Sequence, residues 1–61
     1  MNFKELKILK LNDNNISNIK ILEKVRFPNL VILNLYGNKI DKKKFISIIT
    51  ILKNRYWEVD L

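Results

Sequence analysis

"LKILKLNDNNI" at residues 6–16 returns as "LVILNLYGNKI" at residues 30–40. In each stretch two leucines stand three apart and a third follows two later, then an asparagine after three and an isoleucine after two. Sliding the chain by 24 residues sets Phe3 on Phe27, Leu6 on Leu30, Ile8 on Ile32, Leu9 on Leu33 and Leu11 on Leu35. The same shift sets Asn14 on Asn38 and Ile16 on Ile40. Self-similarity at a fixed period is the mark of a stacked repeat. A unit this short cannot bury its apolar face alone and needs a neighbour to cover it.

The pattern L-x-x-L-x-L-x-x-N-x-L, read here as Leu6, Leu9, Leu11, Asn14, Ile16 and again as Leu30, Leu33, Leu35, Asn38, Ile40, resembles the leucine-rich repeat family. The resemblance runs over residues 3–61. It implies an α/β fold: a short leucine-rich-repeat solenoid with parallel strands on the concave side and helix or 3₁₀ turns on the convex side. The "NNISNIKIL" segment looks like the short-turn, phosphatase-regulator-like subclass, and "PNLVILNLYGNKI" is similar to repeats of nuclear messenger-RNA export factors. Repeat two departs from the first of these, with Lys43 in the slot of Ile19 and a longer helical stretch.

Strand alternation then sorts the side chains. Leu9 and Leu11 point into the core, and Ile8, Lys10 and Asn12 point out. After the strand the chain turns away from the sheet, where buried backbone needs polar partners. An asparagine amide both donates and accepts, so Asn14 and Asn38 are able to bond neighbouring backbone. The resemblance implies that they form an asparagine ladder across repeats.

The return segments read as helical. Ile19, Leu22 and Val25 fall at helical or 3₁₀ spacing, Ser17 or Asn18 is a candidate cap, and Phe27-Pro28 stops the turn. In "DKKKFISIITILKN", Phe45, Ile48, Ile49 and Leu52 form an apolar stripe behind an Asp41 N-cap. The lysines at 42–44 sit badly at a helix start, where the dipole favours anions.

The fixed 24-residue period places repeats at about 6–29 and 30–53 and a partial third at 54–61, within one unit spanning 1–61. It aligns Trp57 with Leu33 and Val59 with Leu35. Stacks usually hold three or more repeats with polar ends. A piece of a longer array, a chain that self-associates through open repeat ends, and a marginal stand-alone module are all compatible with the count. A chain of 61 residues buries only about 60% of its unfolded surface. Stability of about 3–9 kcal/mol is the expectation.

Composition narrows the chemistry. There is no cysteine and no histidine, so disulfides and the common zinc ligands are excluded. No membrane-length apolar run or signal-peptide core occurs, and a cytoplasmic location is expected. "NDNN" at 12–15 lacks the glycine and the bidentate glutamate of a calcium loop, and the lone Gly37 cannot make a phosphate-cradling loop. Ser17, Ser47 and Thr50 have no activating base nearby in sequence. Glu58 and Asp60 share a strand face, but read more simply as its solvated edge. The expectation is no enzyme, no cofactor and no metal.

Surface remains. The 24-residue columns on the concave face are Ile8, Ile32 and Tyr56; Lys10, Asn34 and Glu58; and Asn12, Tyr36 and Asp60. Binding of a protein partner, of unknown identity, is expected through Ile8, Lys10, Asn12, Ile32, Asn34, Tyr36, Tyr56 and Glu58. Tyrosine suits such a face, having an apolar body and a polar tip. The net charge of +6 keeps open a basic nucleic-acid or anionic-surface binder. Its lysines map to the convex side, where Phe27 and Phe45 should be core rather than stacking platforms, which disfavours nucleic acid. A structural self-assembling repeat unit is the other alternative.

Overall fold

The computed structural model describes residues 3–61. Met1 and Asn2, the start of the expected unit, lie outside the described residues. A 3₁₀ turn at Phe3–Glu5 leads into β1 (Ile8–Lys10), α1 (Lys20–Lys24), β2 (Ile32–Asn34), α2 (Ile46–Arg55) and β3 (Glu58–Asp60). The three strands form one parallel sheet in the order β1-β2-β3. Each crossover returns over the same side, so the helices line the convex layer, with α1 packed on α2.

The residues account for these elements. Asn18 Oδ1 accepts the Lys20 N–H at 3.0 Å, holding the start of the five-residue α1. Arg55 Nη1 donates to the Leu22 carbonyl at 3.2 Å, giving an acceptor in α1 a partner from the next repeat. Asp41 Oδ1 accepts from the Lys43 and Lys44 N–H groups, both at 3.1 Å, and caps the turn that winds into α2. Phe45, at the N-cap of that helix, and Ile49 and Leu52 within it are buried along one stripe, while Ile46 faces out at 58% exposure.

The core is a single row of leucines covered by the helices. Ile19, Leu30, Leu33, Leu35, Phe45, Ile49, Leu52 and Tyr56 are buried. Leu6, Leu9, Leu11, Val59 and Leu61 pack against them from the outer rungs, half-buried. No buried polar side-chain atom lacks a partner among the described residues.

The register corrects the period. β1 pairs with β2 as Ile8 to Ile32, a step of 24. β2 pairs with β3 as Ile32 to Glu58, Leu33 to Val59 and Asn34 to Asp60, a step of 26. The repeats therefore begin at Leu6, Leu30 and Tyr56, so the expected boundaries at 53 and 54 move to 55 and 56. The physical reason lies in the return segments. α2 has ten residues and α1 has five. A helix advances only about 1.5 Å per residue, so a more helical return consumes more chain over the same span. The third rung reads Tyr56, Val59, Leu61, the same three-then-two spacing as Leu6, Leu9, Leu11.

Candidate interaction face

Two corrected columns run across the outward side of the sheet: Ile8, Ile32 and Glu58, then Lys10, Asn34 and Asp60. Asn12 and Tyr36 follow at the ends of β1 and β2. Ile8 is 50% exposed, Tyr36 is 65% exposed, and Ile32 is half-buried between its neighbours. Tyr56 leaves this face. It occupies the core slot of Leu6 and Leu30 and is buried, so it does not stand in the outward columns. Glu58 takes the column position that the shorter period had given to Tyr56.

The polar members of the face are held in place. Asn34 Oδ1 accepts the Tyr36 N–H at 3.0 Å, fixing the chain direction just before the tyrosine. Asn12 Nδ2 donates to Asp13 Oδ2 at 3.1 Å. Glu58 is raised above the usual carboxylate pKa, first by its hydrogen bond to Asp60 and then by the charge of that neighbour.

Behind the face, one amide joins two rungs. Asn38 Oδ1 accepts from the Asn14 and Ile16 N–H groups, both at 2.9 Å. Asn38 Nδ2 donates to the Leu11 and Leu35 carbonyls, both at 2.8 Å. Four backbone groups at the turn are satisfied by a single side chain. Asn14 stands one repeat earlier, with no earlier rung among the described residues, and its Nδ2 donates locally to the Asn12 carbonyl at 3.0 Å.

A family model described as leucine-rich repeats in two copies matches residues 4–54. The chain belongs to the leucine-rich repeat family. Comparison with curated proteins and with solved structures returned no match. Domains of this family generally mediate protein–protein interaction and are typically non-catalytic.

The leucine-rich repeat turn uses a left-handed residue at the same position of each copy, Asp13 at φ 59° and Gly37 at φ 77°, and the first turn has a second at Asn15, φ 56°. Aspartate tolerates that conformation better than most residues. Gly37 has a second reason: a Cβ there would run into Asp13 Oδ1. The two turns thus stack one on the other, the aspartate of the first lying over the glycine of the second.

The largest feature missed by the sequence reading is Trp57. The fixed period placed it in a core slot beside Leu33, but it is 89% exposed. It neighbours Val31, itself 41% exposed, at the start of the strands. With Leu30, Lys53, Arg55 and Tyr56 these two line an open hollow of about 540 Å³. The signal was present in the sequence, since Tyr56, Val59 and Leu61 carry the leucine spacing when the period is allowed to stretch. On the convex side Ile21 is also exposed, beside Asn18, Lys20 and Lys24. No helix among the described residues is long and apolar enough to cross a membrane.

Proposed function

We propose that this leucine-rich repeat unit is a protein-binding module that works without catalysis and uses the concave sheet face. The residues that make the contact are Ile8, Lys10, Asn12, Ile32, Asn34, Tyr36 and Glu58. The observation that carries the reading is the pair of Ile8, half exposed, and the half-buried Ile32 side by side on the strands, with the exposed Tyr36 beyond Asn34 at the end of β2 and Lys10, Asn34 and Glu58 around them. An apolar anchor inside a polar rim is the anatomy of an interface, and tyrosine is enriched where binding energy concentrates. A partner with an apolar centre and charges of both signs at its margin suits this surface. The cysteine-free sequence fits a reducing, cytoplasmic compartment.

The test is comparative. Proteins captured on the immobilised chain are purified singly and titrated against the wild type, Ile32→Ala/Tyr36→Ala, and the convex control Ile21→Ala/Lys24→Ala. The face reading expects the first variant to lose affinity by about tenfold or more, equivalent to about 1.4 kcal/mol. The control should change little. Equal affinity for all three, or loss only in the convex control, contradicts the concave face as the binding surface.

A further inference from the structure

We infer that the two ends of the sheet are complementary and that a second copy of this chain docks end to end, β3 of one copy against β1 of the next, continuing the parallel sheet. This concerns the ends of the stack and is read by self-association with no partner present, so it stands apart from the concave-face reading although Lys10 belongs to both.

Three observations converge on it. The first is burial along the core row. The middle rung is sealed, with Leu30, Leu33 and Leu35 at 6%, 1% and 1% exposure. The equivalent leucines of β1, Leu6, Leu9 and Leu11, are only half-buried, as are Val59 and Leu61 of the third rung. The β1 end therefore shows solvent three half-covered leucines, and the β3 end shows Val59 and Leu61, with Tyr56 of the same row already buried. The second is the backbone. Among the described residues no strand pairs with the outer edge of β1 or of β3. Unpaired edges are templates for strand addition.

The third observation chooses the partner. Continuing the register sets Glu58 beside Ile8 of the next copy, Val59 beside its Leu9 and Asp60 beside its Lys10. Adjacent strands lie about 4.8 Å apart, so Asp60 and Lys10 meet directly as opposite charges. The same step brings Lys7 to the 89%-exposed Trp57, because residues 7, 31 and 57 share one column. A lysine stem covering an indole adds apolar contact and a cation over its face. Joining like ends does the opposite. Two β3 edges would crowd Glu58 and Asp60 against their copies, and two β1 edges would crowd Lys7 and Lys10. Charge thus selects the head-to-tail join, a heterologous contact that adds copies without closing.

Sedimentation velocity across about 5 μM to 1 mM, at low and at physiological salt, reads the assembly by mass action. Trp57, the only tryptophan in the chain, reports burial at the join through its fluorescence. The expected result is an average mass that grows past a dimer with concentration, weakens with salt, and tracks a blue shift of Trp57 emission. Asp60→Lys and Lys10→Asp should each weaken association by about tenfold or more. Lys10→Asp/Asp60→Lys, with complementary ends again, should return to within about threefold of wild type. Far-ultraviolet circular dichroism of the dilute variants verifies folding, and Asp60→Asn with Lys10→Gln serves if a reversal unfolds the chain. A monomer throughout overturns the inference. So does association that ignores both charge changes, or a double variant no stronger than the single reversals.

Discussion

Asn38 concentrates more of the fold than any other polar residue, because its amide binds four backbone groups from two repeats. Asn38→Ala should lower unfolding free energy by about 2–4 kcal/mol in urea titration, since partly buried backbone groups lose their partners. Asn14→Ala, which loses one local bond, should cost less than about 1 kcal/mol. Equal losses at the two sites would contradict the role assigned to Asn38. Gly37→Ala should cost about 1–3 kcal/mol through its positive φ and the collision with Asp13. Asp13→Ala in the same chain should recover the collision and leave the backbone strain. The acidic pair gives a pH signature. Glu58 has a raised folded-state pKa, so the native state holds its proton more tightly than the unfolded chain. That contribution is complete below the ordinary carboxylate value of 4.5 and is lost as pH rises through the raised folded value. Glu58→Gln should flatten this fall in urea titrations run on either side of it. An unchanged pH slope would contradict the coupling to Asp60.

At the scale of elements, the two return segments differ in ways that the side chains explain. Asp41 caps the turn into α2, and Asp41→Ala should lower stability by about 1 kcal/mol. Lys43 follows that cap with a charge of the wrong sign for a helix start. Lys43→Glu should raise the melting point, by about 0.3–1 kcal/mol of stability, in a thermal melt at low salt. The two complete strands and their turns were legible in the sequence because the leucine and asparagine positions repeat without drift. The stripe of Phe45, Ile48, Ile49 and Leu52 was legible from its spacing; Phe45, Ile49 and Leu52 are buried and Ile48 is half-buried. The third strand was misplaced by two residues. A rigid period carries the length of α1 into α2, although the second return is more helical and takes more chain. Tyr56 and Trp57 exchanged roles as a result. A two-residue shift leaves Glu58 and Asp60 on the outward face, so strand alternation alone does not tell the two registers apart.

At the scale of the molecule, one sealed rung lies between two half-covered ones, so this small core leaves little stability to spare. The same arrangement gives the chain its surfaces: a concave strip with Ile8, Ile32 and Tyr36, and two ends of opposite charge. The second depends on the 26-residue step, which sets Glu58 beside Ile32 and Asp60 beside Asn34 and takes Trp57 out of the Leu33 slot. Urea unfolding of dilute Tyr56→Ala and Trp57→Ala, followed by circular dichroism, tests that step most directly. Tyr56→Ala should lose about 3–5 kcal/mol, the range for a large aromatic core residue, and leave the chain close to unfolded. Trp57→Ala should stay within about 0.5 kcal/mol of wild type. A severe loss at Trp57 with little change at Tyr56 would restore the 24-residue register and contradict the face described for this protein.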